Sequence, residues 1–212
     1  MERSVRHRLP SPIPFSKIEW GLLLGYSLLH LLLFSFLWEQ TDTASYVNAI
    51  YLLAGDAAAP DRLFRLSKPL SLLLPALLYQ ITGLAPSWGL LVQQYLAYWV
   101  GAWALYQWLF LLFSERQLAR LGLLAYLGMQ PLAVYGLAML TEGVGWAGLL
   151  LGLYAAQHVL WQSPWRWWRG LLLGLFWGLT CFVKESVVAA GLWAAGLVWW
   201  QVGWAFRQKL GV

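Results

Sequence analysis

Apolar residues run through this chain in long blocks, separated by short clusters of charge, proline and glycine. Six blocks predict membrane-spanning helices: Ile18–Trp38, Trp88–Phe113, Ala119–Val134, Gly143–Trp161, Gly170–Val183 and Ser186–Trp204. The third and fifth fall short of the roughly 17 residues that a crossing needs, which predicts tilt or extension by polar turns. A further apolar stretch, Pro69–Gly83, would be about 22 Å long as a helix and contains Pro75. It lies within residues 39–87, the longest break between blocks. The expected architecture is an all-α integral membrane protein with about six transmembrane helices. Residues 1–17 and 205–212 form its tails, and interfacial or juxtamembrane helices occupy the first loop.

Charge placement decides how Pro69–Gly83 is read. If it does not span, one side of the membrane receives Arg3, Arg6, Arg8, Lys17, Arg116, Arg120, Arg166, Arg169, Arg207 and Lys209, ten of the fourteen cationic residues. The positive-inside rule makes that side cytoplasmic, with both termini on it. If the stretch spans, every later loop changes side and the bias vanishes. Pro69–Gly83 is therefore expected as a juxtamembrane or re-entrant helix. The same topology puts Glu39, Asp42, Asp56, Asp61, Glu142 and Glu185 on the outer face, six of nine acids. Acids contribute little to orientation, so their gathering is separate information and marks the outer face as the place for function.

Composition removes the soluble alternatives. Hydrophobic residues make up 60% of the 212 and charged residues 11%, against about 25% charged in soluble domains. The net charge of +5 comes from cations scattered singly or in pairs beside apolar blocks, with no basic helix, so a nucleic-acid partner is not expected. Among the sixteen tryptophans, Trp20 and Trp38 bracket the first block about 27 Å apart along a helix, close to one hydrocarbon thickness. The block lacks a small-x-small cleavage site after it and reads as a retained span, not a signal peptide. Cys181 stands alone in an apolar run. His7, His30 and His158 are far apart, so no His/Cys metal site is visible.

Four groups of residues are candidates for chemistry. Asp42 precedes a helical period (Tyr46, Val47, Ile50, Leu53, Ala54) that Gly55 stops, which fits either an N-cap or a general base at the membrane surface. Arg62, Arg65 and Lys68 run against the positive-inside tendency, and a phosphate at headgroup level would account for them. Headgroup contact or pairing with Asp56 and Asp61 would do so equally. Glu142 opens the fourth block behind Thr141, where the helix dipole alone would favour it. Lys184 and Glu185 interrupt an otherwise uncharged stretch, and a charged pair at that depth calls for partners or a ligand.

The order of these pieces resembles a known family. Asp42 in TDTASYVNAIYLLAG follows the first span, and RLSKPLSLLLPALLYQITGL supplies a basic-Pro-Leu segment before a short helix. Glu142 opens a later helix in AMLTEGVGWAGLLLGLY, and GLLLGLFWGLTCFVKESVVAAGLW is a glycine-rich helix ending in Lys184. Together they resemble the N-terminal membrane module of GT-C glycosyltransferases, in particular the bacterial relatives of dolichyl-phosphate-mannose protein mannosyltransferases, over about residues 18–200. The resemblance implies sugar transfer from a polyprenyl-phosphate-linked donor on the outer side of the cytoplasmic membrane. It implies Asp42 as the base, Glu142 as a second acid, and Lys184 with Arg62 or Arg65 on the donor phosphate. Neither the sugar, the acceptor nor a divalent metal is named by these residues. Enzymes of the family usually carry further spans. The resemblance thus also allows a module that works with a partner membrane subunit, or a non-catalytic subunit packing into a larger membrane complex.

Overall fold

The computed structural model describes residues 12–33, 42–56, 69–129, 142–161 and 167–181, with positions 191, 192 and 196. Among these the chain is all-helical. The helices are α1 (Lys17–Leu33), α2 (Thr43–Leu53), α3 (Leu70–Thr82), α4 (Pro86–Phe113), α5 (Arg116–Gly128), α6 (Glu142–Trp161) and α7 (Trp167–Cys181). Two apolar blocks form helices whose starts differ from the sequence expectation by three residues. Helix α5 starts at Arg116, not Ala119, and ends at Gly128 because Met129 is extended. Helix α7 begins at Trp167 and so takes in Arg169. The last block, Ser186–Trp204, lies outside the described residues except for positions 191, 192 and 196. Among the described residues one helix, α4, is long and apolar enough to cross a membrane by length and composition.

Helix α4 is the frame on which the others are mounted. Its 28 residues extend about 42 Å. Along the half that ends at Phe113 it packs against α1 and α5, both antiparallel to it. The contacts with α1 pair Gln107 with Ile13, Tyr106 with Glu19, and Trp99 with Ser27. Those with α5 pair Tyr98 with Leu127, and Gly101 with Tyr126. Helix α6 makes the most extensive packing on α4. Leu150 meets Gly101 and Tyr154 meets the Trp103 ring, so these two helices run parallel. Helix α7 returns antiparallel to α6, with Thr180 against Gly148 and the Trp177 ring against Gly152.

The half of α4 that begins at Pro86 is covered by α2 and α3. Gly83 takes the left-handed conformation (φ 70°) that glycine adopts without strain, and turns the chain back along α4. Pro75 then lies on Gly89, and Ser71 on Gln93. Helix α3 therefore reaches only from the Pro86 end to the middle of α4. Helix α2 runs parallel to α3, with Tyr51 against Tyr79 and Ala54 hydrogen-bonded to Gln80. A core of Tyr46, Ala49, Ile50, Leu72, Ala76, Leu90 and Leu91 joins the three. Gly55 ends α2 as expected. With φ 91° it lets its own N–H reach the Leu52 carbonyl and the Asp56 N–H reach Tyr51.

The burial pattern is inverted relative to a water-soluble fold. Helix α1 buries Glu19, Leu23, Ser27 and His30 along one stripe. It exposes Leu24, Leu28, Leu29 and Leu32, the last at 71%. Helix α4 buries Gln93, Gln94 and Gln107 while exposing Val92, Leu96 and Val100. Helix α3 exposes Leu73, Leu74, Leu77 and Ile81, and α7 exposes Leu171, Leu172, Leu175 and Leu179. Soluble proteins scatter such side chains singly over the surface; here they form continuous faces on several helices.

At the Phe113 end a buried carboxylate ties three segments together. Glu19 is fully buried and accepts from Arg116 Nε at 3.2 Å, Arg120 Nε at 2.7 Å and Tyr106 Oη at 3.1 Å. Ser16 donates through its N–H (2.6 Å) and its hydroxyl. Gln107 clamps both backbone groups of Ile13. Charge at positions 116 and 120 is tolerated inside a helix because Glu19 meets it there. Arg116→Leu combined with Arg120→Leu should destabilise the chain by about 3–5 kcal/mol, because it strands a buried anion. Glu19→Gln should cost less, since both arginines are partly exposed. Thermal unfolding of the purified variants checks the order, and equal losses would contradict it.

Candidate functional site

Two of the candidate residues, Asp42 and Glu142, open helices that pack on α4, and a proline helps set the place of the first. Pro75 has no N–H, so the Ser71 carbonyl one turn earlier in α3 loses its helical donor. Gln93 supplies the missing bond, with its Nε2 2.9 Å from the Ser71 oxygen. The start of α3 is thereby fixed beside Gln93. Helix α2 lies on α3 with Ala54 at Gln80, and the same offset sets Asp42 beside Pro69, at the first turn of α3. On the other flank, Leu150 sits at Gly101. Two turns back along both parallel helices, Glu142 is level with Gln93 and Gln94. Helix spacing thus puts the two acids, each on a helix that packs on α4, at a similar level along it. Thr43, Ser45 and Tyr46 are buried directly after Asp42.

Asp42 occupies the cap position of α2 without capping through its side chain. Its backbone is in the right-handed helical region (φ −84°, ψ −15°), and the side chain makes no cap hydrogen bond. The work is done by its carbonyl, which accepts from the N–H groups of Ser45 (3.0 Å) and Tyr46 (3.3 Å) and from the Ser45 hydroxyl (2.7 Å). Of the two readings open for Asp42, the side-chain cap is not the one adopted. The residue is exposed. Glu142 does stand in the first turn of α6, as expected, and is half-buried.

The starts of α2, α3 and α6 therefore converge on one level. The positive ends of three helix dipoles favour carboxylates there. This level lies about 12 Å along α4 from its Pro86 end. The exposed leucines of α3 carry the apolar surface past it.

The other candidates divide in two. Arg62, Arg65, Lys68, Lys184 and Glu185 lie outside the described residues. Asp56 lies at the far end of α2, where Tyr79 donates its hydroxyl proton to the carboxylate. That bond holds the phenol above its ordinary pKa and separates Asp56 from the level of Asp42. Among the described residues no group of three or more His, Cys, Asp or Glu side chains is placed to hold a metal ion.

Sequence reasoning missed Gln93 and Gln94. The signal was present, since two adjacent amides in a long apolar helix are as unusual as a charge. The chain matches no protein-family model, no curated protein and no solved structure.

Gln93→Leu should lower stability by about 1–3 kcal/mol, because the Ser71 carbonyl loses the donor that stands in for the missing Pro75 N–H. The loss should vanish when Pro75→Ala restores the helical N–H. A double-mutant cycle by thermal unfolding tests this, and simple additivity would refute the pairing.

Proposed function

We propose that this chain is a multi-pass protein of the cytoplasmic membrane, built like the GT-C membrane module. In this reading it transfers a sugar from a polyprenyl-phosphate-linked donor to an acceptor on the outer side. The membrane setting is supported by the inverted helices, since leucine faces on α1, α3, α4 and α7 are solvated by lipid tails and not by water. Buried Glu19, Ser27, Gln93 and Gln107 then meet protein partners, as polar groups within a membrane must. Helices α1, α5 and α7 run one way and α4 and α6 the other, which is the alternation that successive crossings require. With Arg116 and Arg120 cytoplasmic, the Pro86 end of α4 is outermost and α3 is a re-entrant helix that does not cross.

The observation that carries the transfer reading is the shared level of Asp42 and Glu142. In the reaction, an acceptor hydroxyl attacks the anomeric carbon and the bond from that carbon to the phosphate oxygen breaks. Asp42 takes the hydroxyl proton as general base. Glu142 stands near as a second acid that orients acceptor or donor hydroxyls. The leaving lipid phosphate needs positive charge, and Arg62, Arg65, Lys68 and Lys184 are the residues the resemblance offers for it, with Glu185 as the anion beside Lys184.

Asp42→Asn tests this directly, because Asn is close in shape and starts helices equally well. The variant should insert and accumulate normally while sugar transfer falls by about 100-fold or more, the usual share of a general base. Full activity in the variant would remove the catalytic reading. So would the absence of transfer by the wild type from every polyprenyl-phosphate sugar offered, and the chain would then be read as a non-catalytic membrane subunit.

A further inference from the structure

Two arginines lean on one carboxylate at the Phe113 end of α4. Arg116 and Arg120 stand one turn apart on α5, and both bring Nε to the same Glu19 oxygen, Oε1, at 3.2 Å and 2.7 Å. Arg116 also directs Nη2 to the other Glu19 oxygen and to the Pro14 carbonyl. Among the described residues its Nη1 has no partner, and neither Nη group of Arg120 has one. Both side chains reach the surface, at 41% and 31% exposure.

One carboxylate cannot balance two guanidiniums, so the group keeps one positive charge. The exposed neighbours in sequence leave that balance unchanged, since Lys17 adds a cation and Glu115 an anion. Helix α5 does not account for the cations either, because the start of a helix is its positive end and disfavours them. Folding uses the inner edges of the two forks. Their outer edges are left over, charged and partly exposed, and Glu19 holds both in place.

The geometry of such an edge selects phosphate, whose oxygens accept the paired N–H donors that a guanidinium fork presents. The surroundings select its source. Ile18 beside Glu19, Leu121 beside Arg120 and Phe113 at the end of α4 are all exposed. In a membrane these side chains meet acyl chains, and the arginines stand at headgroup depth on the cytoplasmic side. A soluble phosphate would use the forks alone, whereas a lipid also covers the apolar side chains around them. We propose that Arg116 and Arg120 form a binding site for the phosphate of one anionic phospholipid of the cytoplasmic leaflet, with Glu19 holding both forks in place. The inference rests on the membrane setting proposed above and not on sugar transfer. It adds a lipid site at the end of α4 away from Asp42.

Arg120→Lys tests this, because lysine keeps the charge and can still meet Glu19 but has no fork to offer a second anion. The full chain is placed in nanodiscs of phosphatidylcholine with a rising share of phosphatidylglycerol, and its melting temperature is read. The wild type should gain about 3 °C or more and then level off, as a single site saturates. Arg120→Lys should need about 10-fold more phosphatidylglycerol for the same gain, the usual worth of one charge-assisted hydrogen bond. Lys17→Gln removes a charge from the same surface and should respond like the wild type. Glycerol phosphate added to phosphatidylcholine discs should not reproduce the gain. Native mass spectrometry reads the site without a variant, since each wild-type chain released from mixed discs should retain a single phosphatidylglycerol in preference to phosphatidylcholine.

An equal response from Arg120→Lys and the wild type would overturn the proposal. So would the same loss in Lys17→Gln as in Arg120→Lys, because surface charge alone would then explain the gain. Retention of the two lipids in proportion to their share of the disc would overturn it too, and the full gain from glycerol phosphate would overturn the assignment to a lipid. The membrane reading fails separately. A chain that stays soluble without lipid or detergent overturns that reading and this inference with it. A chain that enters the discs and gains nothing from phosphatidylglycerol overturns this inference alone.

Discussion

The structure turns on one constraint: whole faces of leucine lie outside, while polar side chains are buried and paired within an otherwise apolar core. In water that arrangement would squander the hydrophobic effect, because the apolar faces of α1, α3, α4 and α7 would stay wet. In lipid it becomes the low-energy arrangement. Tails solvate leucine as well as a protein core does, and hydrogen bonds become the groups that must be hidden and paired. Glu19 with Arg116, Arg120 and Tyr106 is the strongest case, a charge removed from its surroundings and matched by three donors on two other helices. Ser27 with Trp99, and Gln107 with Ile13, repeat the device at lower charge.

Once polar groups are the adhesive, their positions on α4 decide what lies at which depth. Tyr106 and Gln107 fix α1 and the segment before it near the Phe113 end. Tyr98 fixes the end of α5. Gln93 fixes the start of α3, for the specific reason that Pro75 leaves the Ser71 carbonyl without a donor. Each tie is local, yet together they leave one level of α4 where an existing helix stops and three others begin. Helix ends are where backbone polarity is least satisfied and where charged side chains are best tolerated. Helix spacing puts Asp42 and Glu142 near such a level.

Much of this was legible in the sequence, and the failures have physical causes. The apolar block Trp88–Phe113 gave α4 to within two residues, and Gly55 and Gly83 marked helix ends through their backbone freedom. The start of α5 was misplaced because Glu115, Arg116 and Gln117 look like a break ahead of the apolar block. Glu19, the partner of Arg116 and Arg120, is about a hundred positions away, and no local window contains it. The two readings of Asp42 stayed open in the sequence for a local reason. A residue type favoured at caps says nothing of whether the side chain or the carbonyl does the capping. Gln94 was overlooked because a neutral amide disturbs a hydropathy pattern less than a charge does. Gln94 is fully buried, and its amide has no hydrogen-bond partner among the described residues.

The central claim is that α4 crosses a membrane with its Pro86 end outermost and the level of Asp42 near that face. Cysteine labelling tests it most directly, because Cys181 is the chain's only cysteine and can first be replaced by serine. Asp56→Cys and Ser114→Cys then place single thiols near opposite ends of α4. A membrane-impermeant maleimide applied to intact cells should label the chain carrying Asp56→Cys. It should reach the one carrying Ser114→Cys only after the membrane is opened. Labelling of both thiols in intact cells, or of the position 114 thiol alone, would contradict the account.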